Sequence, residues 1–218
     1  MKAILVGATG LIGKHLLNQL LNSEKYTKLK VLSRKKIALE HPKLVQVIVN
    51  FDQLSNYKDE FDADAVFCTL GTTMKKAGSK EAFITVDYTY PLTLAKICSE
   101  KNIPQFHLVT AMGASSNSAI FYNKVKGDIE SAISKLNLLS VFIYRPSMLI
   151  GHRNEVRNGE KIGQVIMQFL NFAFIGPLKK YRAIKGETVA TAMLKQSLQA
   201  SKGVMYLESD TIENCANS

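Results

Sequence analysis

Short apolar runs recur along the first two thirds of the chain, and most of them contain few polar residues. Val, Ile, Leu and Phe fill several runs almost continuously, which is typical of strands buried on both faces of a sheet. Six runs predict strands, over residues 2–6, 29–33, 44–49, 65–69, 105–110 and 140–145. The pattern therefore indicates a parallel sheet with helices on both sides.

Between these runs, apolar residues recur at helical spacing, as Ile12, Leu16 and Leu20 do. The spacing predicts helices over residues 11–22, 90–101 and 119–136. Strands that alternate with helices in this way predict an α/β fold, a doubly wound parallel sheet of the Rossmann type. Ligands of such sheets bind beyond the carboxyl ends of the strands, so residues that follow each strand are the candidates for a site.

The alternation fades after about residue 150. The remaining patterns predict a helix over 161–174, a second helix over 187–200 and a last strand over 204–207. These elements are too few for a second core. We expect a single domain over 1–218, in which residues 151–218 form a small C-terminal lobe on the substrate side.

Composition narrows the class of protein. No apolar run is long enough to span a membrane. Cys68, Cys98 and Cys215 lack metal-ligand spacing and read as free thiols, which favours a reducing compartment and a cytoplasmic location. The net charge of +10 raises the possibility of nucleic acid, but the basic residues are not interleaved with aromatic ones. We therefore favour a solvated basic surface over a nucleic-acid site. The cysteine spacing likewise predicts no metal site.

The first strand runs directly into the segment Gly7-Ala8-Thr9-Gly10-Leu11-Ile12-Gly13, and a helix follows. Glycine allows a phosphate to approach the backbone closely, and N–H groups at the start of a helix bind anions. A glycine pattern between a strand and a helix predicts a dinucleotide site.

The end of the second strand carries Ser33, Arg34, Lys35 and Lys36 and no carboxylate. An acid here would bind a ribose 2′-hydroxyl, whereas an arginine matches a 2′-phosphate. The segment predicts NADP(H) rather than NAD as the cofactor. A merely solvated basic turn remains the alternative.

Tyr122 and Lys126 lie four residues apart on a predicted helix, so they share a face. An ammonium near a phenol favours the phenolate, which would suit Tyr122 to acid–base catalysis. Thr110 ends the fifth strand and would orient a substrate carbonyl. His15 and His107 read as structural residues, whereas His152 and Arg153 would either lie near the substrate or belong to a solvated loop.

Together with Arg145-Pro146-Ser147, these motifs resemble the short-chain dehydrogenase/reductase superfamily, in its extended and atypical branches. The segments 68–73 and 75–80, with Val86-Asp87-Tyr88, narrow the resemblance to the Tat-interacting-protein (HTATIP2-like) group of NAD(P)-binding Rossmann proteins. The resemblance covers roughly residues 2–200.

The resemblance implies a bound NADP(H) and assigns its contacts. Phe51 and Asp52 would lie beside the adenine. The other implied contacts are Gly7, Thr9, Gly10, Leu11, Ile12, Gly13, Ser33, Arg34, Lys35, Leu70, Gly71, Thr72, Tyr122, Lys126, Pro146, Met148 and Leu149.

The chain departs from the family pattern at two points: Thr110-Ala111 replaces a serine pair, and Asp87 replaces an asparagine. Ser115 or Ser116 would be a substitute for the missing serine. We expect an NADP-dependent reductase of a carbonyl or enone, with a small-molecule substrate and a possible homodimer. The alternative is an NADP(H)-binding regulatory or scaffold protein with little or no turnover.

Overall fold

The computed structural model describes residues 1–151 and 176–218. Its main sheet has seven strands in the order β3-β2-β1-β4-β5-β6-β9, and every neighbouring pair is parallel. The strands are β1 (Lys2–Val6), β2 (Lys28–Ser33), β3 (Leu44–Ile48), β4 (Ala65–Cys68), β5 (Gln105–Val109), β6 (Ser140–Arg145) and β9 (Gly203–Glu208). The predicted doubly wound α/β fold is confirmed, and the six strands predicted in the first part of the chain agree to within one residue at each end.

Helices cover both faces of this sheet. They are α1 (Gly13–Asn22), α2 (Met74–Ala77), α3 (Lys80–Ile84), α4 (Tyr90–Glu100), α5 (Phe121–Ser134), α6 (Gly186–Ser197) and α7 (Ser209–Asn217). Short 3-10 segments lie at Phe51–Glu60 and Gly176–Tyr181, and β7 (Leu149–Ile150) pairs with β8 (Ile184–Lys185) in a separate ladder. No helix in the described ranges is long and apolar enough to cross a membrane.

The register brings the ends of the central strands to one edge of the sheet. Val6 at the end of β1 pairs with Leu32 and with Cys68, and Cys68 in turn pairs with Leu108. Strand order reverses beside β1, so the loops after β1 and β4 lie at the switch point of the fold.

The helix before Pro91 differs from its prediction. The sequence predicts a start at residue 90, but the chain is helical from Lys80 and passes through a π-helical turn at Thr85–Thr89 before α4. The Tyr90 N–H donates to the Thr85 carbonyl, five residues back. Proline has no N–H to donate, so a widened turn is compatible with it at this point.

The C-terminal residues also differ from the predicted lobe. β9 joins the main sheet beside β6, and Val189, Met193 and Ile212 share one buried cluster with Leu16 of α1. Residues 176–218 therefore contribute a strand to the main sheet and side chains to its core. The sequence conceals this because β9 is an edge strand whose Val204 and Tyr206 stay partly exposed, which leaves a weak apolar pattern. The predicted helix over 161–174, with His152 and Arg153, lies outside the described residues.

Candidate functional site

Glycine is required where the loops after β1 and β4 meet. Gly7 has φ +90°, and a Cβ there would lie 2.7 Å from Thr69 Oγ1 and 2.8 Å from its backbone. The Thr69 hydroxyl lies 3.0 Å from the Val6 carbonyl oxygen and 3.1 Å from that of Gly7. The two loops therefore pack backbone to backbone at the switch point.

The start of α1 fits a pyrophosphate. A Cβ on Gly13 would lie 2.1 Å from the Gly7 carbonyl oxygen, so the helix starts against the strand end. No side chain caps this helix at Ile12, and its first turn contains no acidic residue. Thr9 and Gly10 are exposed in front of it. Backbone N–H groups without a capping side chain, at the positive end of a helix dipole, suit a phosphate anion.

The basic turn after β2 lies near a tyrosine–aspartate pair. Arg34, Lys35 and Lys36 are exposed, and the Ser33 hydroxyl donates to the Lys35 carbonyl over 2.8 Å. The Tyr90 hydroxyl donates to Asp52 Oδ1 over 2.6 Å. Burial and the Asp52 carboxylate raise the pKa of Tyr90 to about 12, while Arg34 opposes that shift from nearby.

The predicted adenine contacts Phe51 and Asp52 thus both lie against Tyr90. The Phe51 and Tyr90 rings are 5.3 Å apart, and Phe51 is only 8% exposed. Little of the Phe51 ring is left to face a ligand, whereas Asp52 and Arg34 stand at the surface around it. Tyr90 was not predicted from the sequence as a site residue.

Lys126, in the second turn of α5, is buried in an ion pair. Its Nζ lies 2.8 Å from Asp87 Oδ1, with side chains 5% and 0% exposed respectively. Burial alone would lower the pKa of Lys126, but the Asp87 carboxylate offsets this and the pKa of Lys126 is raised. A Cβ on Gly71 would lie 3.6 Å from Asp87 Oδ1 and 3.9 Å from Lys126 Nζ. The lysine therefore reaches the predicted cofactor loop after β4.

Tyr122 lies one turn before Lys126, with its side chain partly exposed. Its ring packs on Phe83 of α3, with centroids 5.6 Å apart. Within the described ranges, no side chain or backbone group forms a hydrogen bond with the Tyr122 hydroxyl. The phenol is thus held by its ring.

Thr110 is occupied in a different network. Its hydroxyl donates to Glu130 Oε1 over 2.6 Å, and Arg145 Nε donates to the same carboxylate over 3.0 Å. Since a hydroxyl has one proton to donate, this geometry does not support the predicted role of Thr110 in orienting a carbonyl. A polar cavity of about 310 Å³ borders Glu130 and Arg145, and neither Tyr122 nor Lys126 lines it.

The remaining predicted contacts surround the same edge of the sheet. Leu70 and Thr72 are partly buried and Gly71 is exposed. The Pro146 carbonyl accepts from the Met112 N–H, which joins the loops after β5 and β6. Met148 is 47% exposed and Leu149 packs on the core.

Leu11 connects the glycine loop to the C-terminal part of the chain. A Cβ on Gly186 would lie 2.9 Å from Leu11 Cγ, and one on Gly151 would lie 2.7 Å from Leu11 Cδ1. Leu11 is therefore a packing residue of this loop.

Glu130 is a second polar residue, besides Tyr90, that was not predicted from the sequence. Its signal was available: it lies four residues after Lys126, on the apolar face of a helix, where a lone carboxylate requires a partner. His107 is structural, as predicted. It stacks between Phe67 and Phe142, and burial lowers its pKa to about 3. The described residues contain no cluster suited to a metal ion.

Comparison with known proteins gives a consistent family. The NAD(P)H-binding family matches residues 7–136. Protein HTATIP2 of Rattus norvegicus is 30% identical over 207 residues, covering 93% of this chain and 84% of that protein. Protein FMP52, mitochondrial, of Eremothecium gossypii is 34% identical over 172 residues, covering 78% of this chain and 75% of that protein.

Solved structures share the fold at low identity. The oxidoreductase ylbE of Lactococcus lactis superposes with a TM-score of 0.70 at 16% identity, covering 100% of this chain and 98% of that one. The Bordetella bronchiseptica enzyme WbmH, solved in complex with NAD+, has a TM-score of 0.70 at 15% identity and covers 99% and 79%.

The relatives correct one expectation and confirm another. Several fungal relatives are named mitochondrial, so the expectation of a cytoplasmic location is wrong. That expectation rested on the free thiols, but a reducing environment is not unique to the cytoplasm. The predicted family is confirmed by the match to the NAD(P)H-binding family and by the similarity to HTATIP2. The chain is a Rossmann protein of the NAD(P)H-binding, oxidoreductase-like family.

Proposed function

We propose that this protein is an NADP(H)-dependent reductase of a carbonyl or enone, with Tyr122 as the proton donor. One observation carries the proposal. The Lys126 ammonium is buried against Asp87 beside Gly71 of the β4 loop, which places Tyr122, one turn earlier on α5, at the edge of the sheet where the glycine loop lies. This arrangement supports a dinucleotide site and a proton donor at the same edge of the sheet.

The choice of NADP(H) over NAD rests on Arg34. This exposed guanidinium follows β2, and the turn from Ser33 to Lys36 contains no carboxylate that would repel a 2′-phosphate. The uncapped start of α1 would hold the pyrophosphate. When bound, the nicotinamide supplies a hydride.

The residues of this chain have separate tasks in the proposed reaction. The Tyr122 hydroxyl binds the substrate oxygen and donates its proton to it. Lys126 keeps a cation near that phenol. Phe83 fixes the ring by packing on it. Thr110 has no role, because its hydroxyl donates its hydrogen bond to Glu130.

The test is turnover by wild-type protein and by Tyr122→Phe across a panel of aldehydes, ketones and enones. We expect the variant to lose about 100-fold or more in kcat while its Kd for NADPH stays within about threefold, since general acids contribute about 10² or more. The control is Tyr206→Phe, which removes a phenol hydroxyl from the partly exposed strand β9. Its kcat should equal that of wild type. Full activity of Tyr122→Phe would refute the assignment.

A second candidate is an NADP(H)-binding regulatory protein with little turnover. The observation that favours it is the engagement of Thr110 with Glu130, which leaves Tyr122 without a second hydroxyl from this strand. Wild-type protein that retains NADPH but consumes none across the panel, and whose protein partner is lost on Arg34→Glu, would support this candidate.

The location and assembly belong to the same proposal. The names of the fungal relatives support a mitochondrial location, which imaging of the tagged full-length protein tests. A small-molecule substrate and a homodimer are expected, and light scattering of the purified protein measures the latter.

A further inference from the structure

Asp87 uses both carboxylate oxygens to connect two parts of the site. Its Oδ2 accepts from the Thr72 N–H over 2.9 Å, and its Oδ1 lies 2.8 Å from Lys126 Nζ. Thr72 belongs to the loop after β4, whereas Lys126 belongs to α5. Asp87 itself lies on the π-helical turn Thr85–Thr89, a kind of turn that is frequent at functional sites. One side chain thus joins three elements.

Burial of the Asp87–Lys126 ion pair restricts the position of the lysine side chain. The side chains of Asp87 and Lys126 are 0% and 5% exposed, so each ion has lost nearly all its water. A buried ion without its partner is strongly unfavourable, which restricts Lys126 to conformations in which Nζ contacts Asp87. The lysine is therefore fixed in position.

We propose that Asp87 is a positioning residue, which holds Lys126 against the Gly71–Thr72 loop and keeps its ammonium charged beside Tyr122. This role rests on the proposed reductase function. An asparagine in this place would still accept from Thr72 but would leave the ammonium uncompensated.

The charge balance is local. Three titratable groups act on Lys126: Asp87 on the π-helical turn, Tyr122 on its own helix and Cys68 at the end of β4. Burial raises the pKa of the Cys68 thiol to about 12, so this thiol is neutral and Asp87 is the only counter-charge among the three. Changing Asp87 therefore changes the charge beside Tyr122.

The test compares Asp87→Asn, Asp87→Glu and the control Asp128→Asn in the full chain. Asp128 is a matched control because its carboxylate pairs with Lys124 on the exposed side of the same helix, at 3.6 Å. The readouts are the Kd for NADPH, kcat at neutral pH, and the dependence of kcat on pH.

We expect Asp87→Asn to lower kcat about tenfold or more while the Kd for NADPH stays within about threefold. Its alkaline limb should move towards neutrality by about one pH unit or more. Without the carboxylate, burial lowers the pKa of Lys126, so the cation beside Tyr122 that the proposed reaction requires is lost at a lower pH. Asp87→Glu keeps the charge and should retain the wild-type limb, as should Asp128→Asn.

A pH profile of Asp87→Asn that superimposes on wild type would overturn the positioning role, as would an equal shift in Asp87→Glu. Absence of turnover in wild type would overturn the reductase function as well, so the two failures are distinguishable. If Asp87→Asn does not fold, thermal unfolding of Asp87→Asn/Lys126→Met decides: the role requires the double variant to fold, whereas its failure to fold would contradict the pairing.

Discussion

Two ion pairs lie one turn apart along α5. One holds the predicted site residue Lys126, and the other includes the carboxylate that engages the predicted site residue Thr110. Asp87 pairs with Lys126, and Arg145 pairs with Glu130, which accepts a hydrogen bond from the Thr110 hydroxyl. The spacing of Tyr122 and Lys126 was readable from the sequence because helical geometry is local. The partners were not, because Asp87 and Arg145 come from other elements.

At the residue scale, we predict that Arg34 determines cofactor preference. Arg34→Glu should raise the Kd for NADPH about tenfold or more, because a hydrogen bond to a charged group contributes about 1.5–3 kcal/mol and 1.4 kcal/mol is tenfold. The Kd for NADH should change little. Fluorescence titration with both nucleotides measures this.

The control is Lys36→Glu, which makes the same change of charge two residues further along the exposed turn. It should weaken NADPH binding less than Arg34→Glu does. Equal losses in both variants, or an equal loss of NADH binding, would show a general electrostatic effect and contradict recognition of a 2′-phosphate.

At the element scale, α5 is held against the loop after β5 by a glycine. A Cβ on Gly127 would lie 2.1 Å from the Ser115 carbonyl carbon and 2.2 Å from the Ser116 nitrogen. This approach brings the helix that carries Tyr122 to the sheet edge. Ser115 and Ser116 are therefore packing partners of α5 as well as loop residues, and the sequence shows Gly127 only as a weak position within a helix.

We predict that Gly127→Ala destabilises the protein, although alanine favours helices by about 1 kcal/mol over glycine. Overlap with backbone atoms should cost about 2 kcal/mol or more. Urea denaturation followed by circular dichroism measures the free energy of unfolding. Asp128→Ala, at the next position of the helix, should change it by less than about 0.5 kcal/mol. A stabilised Gly127→Ala would refute the close contact.

At the scale of the whole molecule, the described residues form one seven-stranded sheet with helices on both faces. His107 lies on β5 of this sheet, fully buried, with Tyr144 Oη 3.1 Å from its Nδ1. The first strands and helices were predictable because their apolar periods are strong. The place of β9 was not, because an edge strand needs less apolar surface and its pairing with β6 depends on the rest of the sheet.

The buried His107 predicts sensitivity of the whole fold to acid. Its folded pKa of about 3 lies below the value near 6.5 of an unfolded chain. The unfolded state therefore binds the proton more tightly, and stability falls as pH drops from about 6.5 towards 3. The slope from this group alone approaches 1.4 kcal/mol per pH unit.

Thermal unfolding of wild type and His107→Phe between pH 7 and pH 4 measures this contribution. The variant removes the titration and keeps an aromatic ring between Phe67 and Phe142, so its stability should depend less on pH. His15→Gln, on the partly exposed side of α1, should keep the wild-type dependence. Parallel curves for His107→Phe and wild type would contradict the assignment.

The sequence by itself determined the features that depend on local physics. Apolar periods predicted the parallel sheet, and the strand–glycine–helix order predicted the dinucleotide family. The Tyr122–Lys126 spacing and the basic turn at Arg34 were likewise visible in short segments of the sequence. Only the tertiary structure decided how buried charges are balanced, because ion pairs such as Asp87–Lys126 and Glu130–Arg145 join residues distant along the chain. Packing selects such partners, and no local pattern specifies them.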